Sequence, residues 1–376
     1  MVNNTKSILV LSTFPETASV KSVAETLVNE KLAACVNIVS GVQSIFRWQD
    51  KIDNANENIL IIKTKDNLYN ELEKRIKDVL AYSEKYVFLQ KPDNFSKLLS
   101  DTASLKPSEL GLKHEQLELF KAYPFVVNDI KNEVKPTLVD CVNQDTHLTL
   151  IFSSIRQQKI RENIPENQLV QTARDNRYQK IIGVRQLKVQ CHDVITFWKE
   201  QNIIEIRIDD HKPIRSDMAE EYACKLIEQF NWLLSEAQKR NRLGGDFQST
   251  FKAIESIYSK SDEGRIFSLK HVISDSAKEE REQRHGKKDI RKEAFHKGGN
   301  DAVKGQTEKY NLQVEWHTGD DNGYAHRPAL WIPGSVRILR GTQNMLKFAH
   351  ISDCATPKEY VYVLNKLMKH CELIEA

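Results

Sequence analysis

The chain has few of the features that announce a function early. Its six cysteines include no pair at CxxC spacing, and the closest two, Cys354 and Cys371, are 17 positions apart. That spacing excludes a zinc ribbon and a disulfide scaffold, and it points to reduced thiols in a cytoplasmic protein. Long apolar runs are missing too. None approaches the roughly 18 residues of a membrane-spanning helix. The first run, Ile8 to Leu11, has four residues, too few for the core of a secretory signal. Charge of one sign is also lacking: 55 Lys and Arg nearly cancel 52 Asp and Glu, leaving +3. The whole chain therefore makes no case for nucleic acid or an anionic membrane. No P-loop, GxGxxG, GxSxG or HExxH pattern occurs.

What is present is ordinary globular composition, 40% apolar and 28% charged over 376 residues, enough for two or three domains. The first ninety residues are the most legible. SILVLST reads as a short buried strand. Val20, Val23, Ala24, Leu27 and Val28 then recur at helical spacing. AACVNIV and VQSIFRW are strands divided by Gly41, which marks either a bulge in one long strand or a tight hairpin. NILIIKT is the next strand, Leu68, Leu72, Ile76 and Val79 mark a second helix, and KYVFL closes the set. The order β-α-β-β-α-β is that of a ferredoxin-like domain, a four-stranded antiparallel sheet with both helices on one face. Val36 and Ile38 against Cys35 and Val39, and Ile59 and Ile61 against Leu60 and Ile62, make these strands apolar on both faces. Both faces are then expected to be covered, the second by another copy or by the rest of the chain.

These residues carry a resemblance. KLAACVNIVSGVQSIFRWQDKID, followed by ILIIKT and a helix, resembles the CutA family of divalent-cation tolerance proteins over about residues 6–89. Ala34, Cys35, Val36, Asn37, Gly41, Arg47, Trp48, Lys51, Ile52, Lys63 and Thr64 agree with the family pattern. The resemblance implies a PII-like homotrimer with small-ligand clefts between subunits. It places Arg47, Trp48, Lys63 and Tyr82 at such a cleft, and it links the module to copper and other divalent cations, with Cys35 as the candidate ligand. Two departures stand out. WQDK replaces the family's Trp-acid-Gly-Lys, and the family's His-Pro-Tyr before the last strand reads Leu80-Ala81-Tyr82, so the histidine is missing.

The fold class expected is α+β, with the CutA-type domain at 1–90, a linker at 91–113 holding one helical turn, and a larger region of two blocks, 114–243 and 244–376, forming one unit or two. A short helix is expected over His114–Tyr123. In IIEIRIDDH the isoleucines face one way. Glu205, Arg207 and Asp209 face the other, leading to Asp210 and His211. That row reads either as a solvated face of cross-strand ion pairs or as carboxylates around a metal in a catalytic site. Met218, Tyr222, Leu226, Phe230 and Leu233 form the stripe of a long helix.

Between Lys278 and Lys309, ten Lys and Arg stand against seven Asp and Glu. Mixed signs suit a solvated helix. Lys287, Lys288, Arg291, Lys292, His296 and Lys297 beside Gly298–Gly299 also read as a contact for phosphate or nucleic acid. Further on, Glu315 and His317 alternate before Asp320 and Asp321, and SVRILRG reads as a strand.

Two function classes follow. One is a trimeric sensor or binding protein, responding to a metal or small ligand and carrying a C-terminal effector or interaction region. The other is a phosphodiester- or nucleotide-acting enzyme with its site in 114–376, on a CutA-like oligomerisation base.

Overall fold

A computed structural model describes residues 6–15, 20–48, 51–82, 84–105, 134–164, 181–209, 216–273, 278–283, 288–304, 306–319, 325–342, 345–354 and 356–375. The helix expected over 114–123, and Asp210, His211, Lys287, Asp320 and Asp321, lie outside them.

The N-terminal elements follow the expected order: β1 (Ser7–Pro15), α1 (Val20–Asn29), β2 (Cys35–Trp48), β3 (Lys51–Lys65), α2 (Tyr69–Tyr82) and β4 (Glu84–Gln90). Gly41 resolves as a bulge in one long strand. Val39 pairs with Ile59 and Val42 with Glu57, so two residues of β2 oppose the single Asn58. Gly41 sits at φ +73°, a conformation favouring glycine. Phe14, Leu60 and Ile62 are buried under Val20, Val23 and Leu27 of α1 and Leu72 of α2.

The fourth strand departs from the expected sheet. β1, β3 and β2 form a three-stranded sheet, and β4 lies in a separate ten-stranded one. There it pairs antiparallel with two further strands, β8 (Ile203–Asp209) and β15 (Ala349–Ser352). Tyr86, Val87, Phe88 and Leu89 are all buried. Four successive apolar positions belong between covered faces, and the middle of a large sheet supplies them.

The other strands of that sheet are β5 (Val134–Asn143), β6 (His147–Asn163), β7 (Ile182–Trp198), β9 (Arg265–Ile273), β10 (Lys278–Gln283), β11 (Thr307–Glu315) and β14 (Ala329–Ile332). Their order is β10-β9-β11-β14-β15-β4-β8-β7-β6-β5. A small pair, β12 (Thr318–Gly319) and β13 (Ala325–His326), stands apart. Helices α3 (Phe95–Ala103), α4 (Ser216–Glu236), α5 (Lys252–Tyr258), α6 (Ala294–Ala302), α7 (Val336–Leu339) and α8 (Pro357–His370) complete the described α-helices, with short 3-10 turns at Asp66–Leu68 and Ile290–Lys292.

An apolar cluster runs continuously from Tyr86 to Leu373 and draws on both sequence blocks. The stretch expected as a linker contributes to it, since Phe95 and Leu98 of α3 are buried there. SVRILRG is helical rather than extended: Val336–Leu339 form a turn begun by Ser335, whose side chain accepts from the Ile338 N–H. The Gly298–Gly299 pair lies inside α6, not in a turn.

Candidate functional site

The N-terminal sheet has one face under its helices and one face open. Strand register puts Leu9 and Leu11 of β1, Ile59, Ile61 and Lys63 of β3, and Cys35, Asn37 and Val39 of β2 on the open side. Leu9 and Leu11 are 66% and 69% exposed. Single exposed leucines are unremarkable, but a contiguous apolar sheet face marks an interaction surface. At the far end of the β2–β3 pair, Arg47 pairs with Ile52 and Trp48 with Lys51. Tyr82 ends α2. Lys63 is exposed on the open face, in register with Leu9 and Cys35.

Cys35 is partly exposed, and its Sγ lies 3.6 Å from Asn37 Oδ1. Among the described residues no group of three or more His, Cys, Asp or Glu is arranged to hold a metal ion. A single thiol beside an amide is an incomplete donor set for copper or zinc. The residues described in this one chain therefore do not fit a closed metal site.

The row on β8 is not solvated, because all seven of its residues are buried. Ile204, in register with Phe197, faces α4, where Phe197 meets Phe230. Glu205 and Arg207 face α8. Tyr360 donates to Glu205 Oε1 at 2.5 Å, Arg207 Nε donates to the same oxygen at 3.0 Å, and Trp198 Nε1 donates to Oε2 at 3.0 Å. Arg207 also lies 4.2 Å over the Tyr360 ring. Asp209 is held by Lys85 and by the backbone N–H of His192. Each of these carboxylates is thus already engaged, as buried charges must be. The expectation of a solvated face is corrected: Glu205, Arg207 and Asp209 form a buried, internally bonded network.

The basic cluster divides. Lys288, Lys292 and Lys297 are exposed. Arg291 points inward: its Nε and Nη2 bind Asp289, Nη1 donates to the carbonyls of Ile257 and Lys260, and Nη2 also reaches those of Glu263 and Gly264. His296 is buried between the Tyr258 hydroxyl at 2.9 Å and Glu282 Oε1 at 2.6 Å. Arg291 and His296 are therefore structural side chains rather than parts of an exposed phosphate cradle. Glu315 is likewise paired, with Arg265 at 2.8 Å, while His317 is exposed.

The structure also assembles a set that sequence spacing conceals. Ser256 Oγ on α5 lies 2.8 Å from His370 Nδ1 at the end of α8, and His370 Nε2 lies 3.3 Å from Glu263 Oε2. Lys366 at 2.8 Å and Trp316 Nε1 at 2.9 Å fix the other oxygen of Glu263. Burial pushes Glu263 up, but these bonds outweigh it and hold the carboxyl below its ordinary value. Burial pushes His370 down, against the pull of Glu263, which favours a neutral imidazole. A hydroxyl, a neutral imidazole and an anchored carboxylate side by side are the groups of a general-base relay, with the His370 Nε2–Glu263 approach an ion-pair contact and not a hydrogen bond. Positions 256, 263 and 370 have no local signature, so only the fold brings them together.

Comparison with known proteins places the N-terminal part. The CutA1 divalent ion tolerance protein family matches residues 8–97. The divalent-cation tolerance protein CutA of Thermus thermophilus is 40% identical over 75 residues, 20% of this chain and 73% of that protein. The chloroplastic CutA of Arabidopsis thaliana is 43% identical over 70 residues, 19% of this chain and 38% of that protein. Its counterpart from Oryza sativa is 42% identical over 71 residues, and the chain spans 40% of its length. A solved structure of the Thermus thermophilus divalent cation tolerance protein is 40% identical, with a TM-score of 0.18, over 19% of this chain and 70% of that one.

Proposed function

The chain belongs to the CutA1 family through residues 8–97, and on that premise we propose that it is a self-associating binding protein whose N-terminal module carries a larger C-terminal region. The module forms a trimeric platform, as the family resemblance implies. It responds to a divalent metal or a small ligand held between copies, near Arg47, Trp48, Lys63 and Tyr82. The C-terminal region is displayed on this platform as the effector or interaction part. Six free cysteines suit the cytoplasm. Among the described residues no helix is long and apolar enough to cross a membrane.

The open face of the three-stranded sheet is the observation that carries this reading. Covering a leucine such as Leu9 or Leu11 is worth about 1.5–3 kcal/mol, and the described part of the chain leaves both exposed. Light scattering on the intact chain is expected to give the mass of three chains. Leu11→Asp is expected to lower it to one chain with unchanged circular dichroism. A single-chain mass for the unaltered protein overturns the proposal. Copper or nucleotides that bind the native state raise its unfolding midpoint.

A second reading, an enzyme beyond the module, draws on the Ser256–His370–Glu263 geometry. Glu205 and Asp209 offer it little, since their oxygens are engaged. An activated serine is expected to take a fluorophosphonate label that Ser256→Ala abolishes and Glu263→Gln weakens. No label on the intact chain rules this reading out.

A further inference from the structure

The N-terminal module meets the rest of the chain across a polar contact that no motif announces. On the module side, Glu30 follows α1 and Arg75 lies on α2. Arg75 Nε donates to Glu30 Oε2 at 2.6 Å, and its Nη2 pairs with Oε1. On the other side, His326 of β13 puts Nε2 3.6 Å from Glu30 Oε1 and Nδ1 3.1 Å from Glu359 Oε1. Glu359 stands in the first turn of α8, in a reciprocal capping pair with Thr356, and the Thr318 hydroxyl donates to its Oε1 at 2.7 Å. Glu30, Arg75, His326 and Glu359 have side chains between 8% and 11% exposed.

We propose that His326 is a proton-operated clasp that holds the CutA-type module against the C-terminal region by bridging Glu30 and Glu359. The chemistry of imidazole carries the argument. A protonated ring is a cation with an N–H on each side and attracts both carboxylates as ion pairs; a neutral ring has no charge, one donor and one lone pair. Loss of the proton therefore leaves one carboxylate, on one side of the contact, facing a lone pair.

The surroundings suit a contact that opens and closes. Glu30 keeps Arg75 when the bridge is broken, and Glu359 keeps Thr318 and the Thr356 N–H. Neither carboxylate is left buried and unpaired, so opening avoids the large cost of an orphaned charge. The contact is also separate from the open sheet face.

The electrostatics agree in sign. The close approach of Glu359 raises His326 above its ordinary value of 6.5, against burial. The charges of Glu359 and Glu30 add to the rise, and Arg75 opposes it. A raised value in the closed form means that the clasp is fully set below the ordinary histidine range. It is lost as pH climbs through the raised value, so the change falls on the neutral side of that range.

Hydrogen exchange on the intact chain tests this, read in α1, α2 and β13 at about pH 6 and about pH 8.5 and corrected for intrinsic rates. Protection in these segments is expected to fall on going to the higher pH, by up to about tenfold for each pH unit over which a single proton is released. His326→Gln should make it independent of pH. Glu359→Gln preserves the capping pattern and should move the midpoint down towards ordinary histidine, which keeps the test decisive if the first variant folds poorly. Equal pH dependence in His326→Gln, or none in the unaltered chain, overturns the clasp. Light scattering at both pH values separates this from assembly, because the expected loss of protection comes without a change of mass.

Discussion

Arg291 sits in the sequence among lysines and reads as one more solvent-facing cation, yet the fold turns it into a clamp on the loop from Ile257 to Gly264. Its partner Asp289 is two positions away. Burial pushes that carboxyl up, but Arg291 more than offsets this and holds it below its usual range. Arg291→Ala is expected to lower stability by about 3–5 kcal/mol, the cost of breaking a buried pair from one side. Lys292→Ala should stay within about 0.5 kcal/mol; urea denaturation measures both. Gly264 is a second residue whose role is conformational. It sits at φ +60°, and a Cβ there would lie 2.6 Å from Val314 Cγ2 and 2.9 Å from the Glu315 carbonyl. Gly264→Ala should therefore cost at least about 1–2 kcal/mol from backbone strain alone. Neither residue's role was legible, because charge and residue type are local and the partner is not.

At the scale of elements, more could be read. Apolar runs and periods of two and of 3.6 marked β1, α1, α2, β8 and α4, and Gly41 left a bulge and a tight hairpin both open. What periodicity does not carry is the identity of a strand's neighbours. Tyr86-Val87-Phe88-Leu89 reads the same at the edge of a small domain and in the middle of a large sheet, provided both faces are covered. Similarly, Phe95, Leu98 and Leu99 could be seen as apolar, but the Ser, Pro and Asp around them suggested a linker. Leu98 is fully buried, so Leu98→Ala should cost about 2–5 kcal/mol in urea denaturation. A value near zero would return this stretch to a linker.

At the scale of the molecule, Tyr360 ties α8 to β8 across 155 positions of sequence through Glu205. Burial raises its hydroxyl well above the ordinary tyrosine value, so it remains a donor at any physiological pH. Tyr360→Phe is expected to lower stability by about 1.5–3 kcal/mol, as for a bond to a charged group. Tryptophan fluorescence and far-ultraviolet dichroism should shift together; separate transitions would contradict the shared core. The position of β4 bears on how such a chain can be taken apart. Descent and hydrogen bonding draw the module's border in different places, since the family match extends to residue 97 while β4 belongs to the other sheet from Glu84 onward. A gene cut where the family match ends would remove a middle strand from the ten-stranded sheet. It would leave β8 and β15 with raw edges prone to aggregate. The family-matched segment is thus not a cassette that recombination can lift out intact.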